Sequence, residues 1–476
     1  MFSTTPFGIL ESLLLVLIIP VGCRALIPPQ SNRIMTPNNK LVTIAEPVWR
    51  AAAARHAARV KSILQPGLLP APENTTRRKI RGDDWTGLDP MHPIFNFLIE
   101  YYGIKGSKGT RRIARWSPDP ALLIGEQRME DWQSTNIRHD EISSQGELYQ
   151  AAMQASAGRG GILLENADLD DMGGNLHLKG AIPVPSLHDS TILYGMLYNP
   201  ALFYERHEPP NVERRQGLLK KIAPFQWYKS IMETTLESEP IMHCHGLHEW
   251  AMVYHPEGSP PPPSAKYQAH LPLRVSRQVI NETVERRGIS CTHVDALRFF
   301  APAAGPLNHH GSSLERIDQI RLEQKACVHA HMDLLKIALK LQPFIGTDLL
   351  GDVLEMAIKA RTLDVEASPY DVTAYGAGFV PVETKQGRQM YREKQRALME
   401  QAEPVRIRLL DAYETFLHLA FEPDLLKASS VRKQEKRKGL LIQRDQIKTS
   451  FAGTERYAKA EPGGLPWRRN LINISK

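Results

Sequence analysis

The chain has 476 residues, with 59 Lys+Arg against 52 Asp+Glu, a formal charge of +7 and 42% hydrophobic residues. With 35 Pro, 32 Gly and only 4 Cys, this composition excludes a collagen-like repeat, a disulfide-stapled mini-scaffold and a wholly disordered chain. The length fits two or three domains or one large one, and 17 His is a count high enough to ask where they lie.

Residues 12–22 (SLLLVLIIPVG) form an uncharged apolar run. It has the length of a signal h-region and is too short to span a bilayer. Small residues at 23 and 25 offer a cleavage site, so 1–25 reads as a signal peptide and the mature chain is expected to carry no transmembrane helix. No acid follows until Glu46. That makes 26–45 either a transit segment, which would send the protein to a plastid, or a short disordered arm on a secreted protein. The mature thiols, Cys244, Cys291 and Cys327, form no C-x-x-C, which favours a reducing compartment.

Apolar periodicity predicts helices over 47–64, 92–102, 144–157, 215–237 and 241–254. Residues 158–188, rich in Gly, Asp and Pro, read as a surface insertion, and PEGSPPPPS at 256–264 as a linker or long loop. The β-branched runs 271–275 and 289–294 flank a helix-like RQVINETVERRG and predict a small β–α–β-like passage. Further helices are predicted over 314–341, 347–361, 385–400 and 404–420. The fold class is therefore mainly α (α+β with a minor β element), one large helical domain over 46–426. Residues 427–476 hold 13 Lys/Arg and 4 Asp/Glu, which leaves the rest of the chain at −2. The basic tail is expected to be flexible and able to bind an acidic partner.

Four constellations carry possible chemistry. In the first, His245 and Glu249 are spaced i, i+4, and in a helix would share a face able to chelate Zn, Mn or Fe. The second runs from Cys291 through His293 to Asp295; an extended strand would put all three on one side, where a carboxylate can orient an imidazole. Third, His329 and Asp333 are i, i+4 with Lys336 a turn further, a polar ladder that needs partners if it is buried. Arg361, Asp364, Ser368, Tyr370 and Asp371 form the fourth, around a Pro that ends a helix. No G-x-S-x-G elbow, Walker motif or G-x-G-x-x-G is present.

These same segments carry a family resemblance. GLHEWAMVY (246–254), LPLRVS (271–276), SCTHVDALRFF (290–300), EQKACVHAHMDLLKIALKL (323–341) and LDVEASPYDVTAYG (363–376) resemble a bacterial family labelled 3-methyladenine DNA glycosylase. The likeness extends over about residues 48–420. His248, Glu249, His293, Asp295, His329, Asp333, Ser368, Tyr370 and Asp371 match its pattern, whereas His243, His245, His255 and His331 fall outside it. The resemblance implies N-glycosidic cleavage of a modified purine in DNA. Asp295 or Asp333 would be the working carboxylate, and Trp250, Tyr254, Phe299 or Tyr370 would stack on the base. The chain has no helix-hairpin-helix motif of the kind some alkylation glycosylases carry, and its body has no basic excess.

The matched positions also move the metal expectation to His248, His293 and His329, meeting from three segments around a divalent Zn, Mn or Fe. The nominated catalytic residues are Glu249, Asp295, Asp333, Tyr370 and Asp371. A metal-dependent enzyme acting on a small-molecule substrate, and a non-catalytic helical protein with a partner-binding tail, are the two alternatives to the glycosylase.

Overall fold

The computed structural model describes residues 40–70, 85–124, 137–139 and 146–429, less 175, 178, 206–212, 243, 261, 263–267, 269, 313 and 428. The expected signal peptide and nearly all of the basic tail lie outside these residues. Most of the described chain is helical, with one mixed five-stranded sheet in the order β2-β1-β3-β5-β4. The strands are β1 (Leu41–Ile44), β2 (Ile137–His139), β3 (Gly161–Glu165), β4 (Ala181–Pro185) and β5 (Leu193–Tyr198). β1 and β3 pair in parallel, and the other pairs are antiparallel.

Strand alternation divides the side chains between two apolar layers. Val42, Ile44, Ile162, Leu164, Met196 and Tyr198 pack with Trp49 and Trp116, whereas Leu41, Leu163, Ile182, Val184 and Leu197 pack with Ala151, Ala152 and Leu202. Three sequence expectations fail here. Residues 41–44, within the supposed arm, form a buried inner strand. The 158–188 stretch supplies β3 and β4, because runs of five residues are too short for a period to show against the surrounding Gly and Pro. Residues 271–275 and 289–294 form no strands: the Arg277–Arg287 helix is present, but its flanks make only isolated bridges, Leu273 with Tyr370 and Ile289 with Asn308.

The Glu46–Leu64 helix buries Trp49, Ala52, Ala53, His56, Val60 and Leu64 along one stripe. Trp49 Nε1 donates to Glu165 O at 2.9 Å, and Arg59 pairs with Asp352 at 2.6 Å and Glu355 at 3.0 Å. The helix thus joins the sheet to the Thr347–Glu366 helix. That helix packs between Val328–Leu341 and Lys385–Ala420 as the centre of the main core. Lys385–Ala420 is one helix of 36 residues rather than two, with Pro404 inside it. Pro404 is exposed, so the carbonyl that loses its intrahelical donor can turn to water.

Two predictions follow from this packing. Gly195 in β5 has φ +151°, and an added Cβ would lie 2.0 Å from Leu164 O; Gly195→Ala is expected to cost about 2–4 kcal/mol in urea unfolding. Burial, assisted by the charge of Arg115, lowers the His177 pKa to about 4. Its unfolded value is near 6.5, so the unfolded chain takes up this proton first as pH falls. The contribution is therefore intact above about pH 6.5 and is lost progressively toward pH 4, by about 3 kcal/mol in all. His177→Phe should flatten that acid limb in denaturation measured from pH 7 to pH 4.

Candidate metal and catalytic site

Asp364, fully buried on the Thr347–Glu366 helix, accepts from His248 Nε2 at 2.5 Å and from Arg361 Nη1 at 2.6 Å. The same Arg361 nitrogen donates to Glu249 Oε1 at 2.6 Å, and its Nε donates to Pro93 O at 3.2 Å. The i, i+3 spacing of Arg361 and Asp364 puts them on one helix face. His248 and Glu249 face them from the first turn of the Leu247–Val253 helix. Gly246 precedes that turn at φ +68°, where a Cβ would sit 3.0 Å from Ala367 Cβ.

Burial alone would raise the Asp364 pKa, but the charges of His248 and Arg361 overcome it and hold this carboxyl well below the usual range. Glu249 goes the other way: burial raises it, and Arg361 does not fully offset burial plus the nearby Asp364 charge. An ionised Asp364 only accepts, so it fixes a proton on His248 Nε2.

Three imidazoles form a row. His248 and His329 have ring centroids 4.4 Å apart, and His329 and His293 stack at 4.7 Å with a 7° interplanar angle. His329 comes from the first turn of the Val328–Leu341 helix, and His293 immediately precedes the short Val294–Leu297 helix. Burial, then the neighbouring His248 and His293, push His329 well below the ordinary His value, so it is a neutral base near pH 7. For His293 burial works downward but the carboxylates of Glu323, Asp333 and Asp295 outweigh it, and its pKa rises.

His329 and His293 open onto a cavity of about 350 Å³. Tyr101, Tyr102, Phe299 and Tyr370 form much of its apolar wall, and Glu249, Asp295, Asp333, Lys336 and Arg361 also face it. Lys336 Nζ lies 3.4 Å from Asp295 and 3.9 Å from Asp333. Asp295 also pairs with Arg298 at 2.8 Å. Burial raises the Asp333 pKa despite His293 and Lys336, whereas for Asp295 burial is outweighed by Lys336, His293 and Arg298. Two adjacent carboxyls thus differ in their readiness to hold a proton, a useful property for acid–base chemistry.

The expected residues separate on this geometry. Glu249, Asp295, Asp333, Tyr370, His293 and His329 border the cavity, while His248 stands behind His329. The three histidines meet but do not make one ligand set. Among the described residues, donor atoms within 4.8 Å of one another fall into three groups: His248, His329 and Asp364; His293, Asp295 and Asp333; and His293, Glu323 and Cys327. Asp371 is not brought in: it accepts from Thr373 N and Oγ1 at 3.1 and 2.6 Å, as the cap of a turn.

His245 is the residue before Gly246, outside the Leu247–Val253 helix, so the i, i+4 chelate with Glu249 does not form. Trp250 donates to Ala367 O and Tyr254 to Glu285, leaving Phe299 and Tyr370 at the cavity. The 291–295 strand is absent, because the chain turns helical at Val294. Asp295 still reaches the cavity, but from a helical turn. The predicted 314–341 helix breaks between Leu322 and Val328, and Glu323, at that break, is brought to His293 only by the fold.

Compared with known proteins, the chain matches no family model, no curated sequence and no solved structure.

Arg361 is the only side-chain cation hydrogen-bonded to Glu249 among the described residues. Arg361→Met should therefore cost about 3–5 kcal/mol in urea unfolding, and adding Glu249→Gln should recover part of that loss. A cost below ~1 kcal/mol would show that the buried network is not needed.

Proposed function

We propose that the chain is a divalent-metal-dependent enzyme acting on a small molecule held in the 350 Å³ cavity. The observation that carries this reading is the donor set of His293, Asp295 and Asp333, all bordering the cavity with ligand atoms within 4.8 Å of one another. One imidazole and two carboxylates suit Zn, Mn or Fe and leave coordination positions for substrate or water. His329, neutral and stacked on His293, is placed to take a proton, and the Asp364–His248 pair fixes its surroundings. Lys336 offsets the negative charge of the carboxylates and is available to an anionic group on the substrate.

The test is Mn²⁺ and Zn²⁺ binding by calorimetry on the full chain. Asp295→Asn with Asp333→Asn should weaken binding by more than ~10²-fold, whereas Asp371→Asn should leave it unchanged. Equal affinity in the wild type and the double variant would remove the cavity site.

A second reading, N-glycosidic cleavage of a modified purine, follows the resemblance of 246–254, 290–300, 323–341 and 363–376 to the 3-methyladenine DNA glycosylase family. Phe299 and Tyr370 on the same wall as Asp295 and Asp333 favour it, since stacking rings beside a carboxylate are what that reaction needs. Incubation with methylated duplex DNA should then yield abasic sites, and Asp295→Asn or Asp333→Asn should lower the yield. No release by the wild type ends this reading. We also infer from the apolar run at 12–22 and the acid-poor segment after it that the protein is delivered to a plastid. A fusion of residues 1–45 to a fluorescent protein that fails to reach plastids would contradict this. Among the described residues, no helix is long and apolar enough to cross a membrane.

A further inference from the structure

The ring of His293 has two nitrogens, and they face different surroundings. Nε2 looks toward Asp333 at 3.9 Å, on the cavity side. Nδ1 looks toward Glu323 Oε2 at 3.6 Å, on a side where no cavity residue intervenes. Cys327, the residue before the Val328–Leu341 helix, completes this inner group, with the ligand atoms of all three within 4.8 Å of one another.

The group is sealed: His293, Glu323 and Cys327 are 2%, 3% and 6% exposed. Yet His293 Nδ1 and Glu323 Oε1 have no hydrogen-bond partner. Glu323 Oε2 is occupied by Gln319 Nε2 at 2.9 Å. A fully buried, unpaired imidazole nitrogen beside an unpaired carboxylate oxygen is costly unless something bridges them.

The separation itself is informative. At 3.6 Å the His293–Glu323 pair is too far apart for a hydrogen bond. It is close to the distance of about 3.4 Å between two ligands of a tetrahedral cation with bonds of about 2.1 Å. Nitrogen, carboxylate oxygen and sulfur together are a zinc-type donor set.

We propose that His293, Glu323 and Cys327 form a second, closed site for a zinc-type divalent cation, separate from the cavity donor set. Its role is positioning. With Nδ1 held, the His293 ring is locked in one orientation and presents Nε2 to the cavity, so the inner ion sets the geometry of the outer site. The two sites share His293, which with both filled loses its remaining N–H proton to solvent and bridges the cations as an imidazolate; they are otherwise distinct, with Cys327 and Glu323 only in the inner set and Asp295 and Asp333 only in the outer.

The test uses the full chain produced with Co²⁺ as the metal, read by absorption and by metal content. Thiolate ligation gives Co²⁺ a near-ultraviolet charge-transfer band that imidazole and carboxylate ligands do not. The wild type should show this band. Cys327→Ser should lose it together with about one equivalent of metal, and Asp295→Asn with Asp333→Asn should keep it. A wild-type Co²⁺ protein without the band overturns the proposal, even if Cys327→Ser fails to fold. So does a folded Cys327→Ser variant with the metal content of the wild type. A band that persists at one equivalent in both the wild type and the Asp295/Asp333 double variant would support the inner site while removing the cavity one.

Discussion

A buried guanidinium holds this structure together at its functional end. Arg361 is shared between Glu249 and Asp364 and also reaches Pro93 O. It therefore ties the Leu247–Val253 helix, the Thr347–Glu366 helix and the 92–95 turn into one unit. Removing two carboxylates and a cation from water is expensive, and it is tolerated only because each is paired with close geometry. Such a network adds little net stability, but it allows few other arrangements. Asp364 passes that constraint to His248, and His248 lies against His329.

The cavity chemistry depends on that placement. Burial keeps His329 neutral to lower pH than a solvated imidazole, and His293 is drawn toward its charged form by Glu323, Asp333 and Asp295 nearby. Within this row His329 and His293 are thus displaced in opposite directions by their surroundings. The same principle separates Asp333, which burial pushes up, from Asp295, which the cations around it pull down. Metal ligation and proton transfer both need groups differentiated in this way.

Long helices were legible in the sequence where their apolar period persists over several turns, as in 328–341 and 404–420. The sheet was not, since strands of three to six residues carry too little pattern, and β1 and β3 come together from more than a hundred residues apart. The strand expected through Cys291, His293 and Asp295 rested on alternation alone; a helical turn at Val294 re-aimed the carboxylate without removing it from the site. At the site, residue types in short-range patterns pointed to His293, Asp295, His329 and Asp333, whereas the pattern around 245–249 favoured His245 and only the family resemblance pointed to His248. Arg361 and Asp364 looked like helix-end residues, and Glu323 fell inside the predicted 314–341 helix, which the structure breaks between Leu322 and Val328. Their roles depend on partners 30 to 116 positions away, which no local window can supply. The net charge of +7 was a poor guide, because the tail carries +9 and the rest of the chain −2.

The claim that this cavity is a metal centre is tested most directly by an anomalous difference map from crystals of the full chain grown with Mn²⁺ or Zn²⁺. A peak bounded by His293, Asp295 and Asp333, on the His329 side of the cavity, is the expected result. A map at saturating metal with no peak among those three side chains would contradict it.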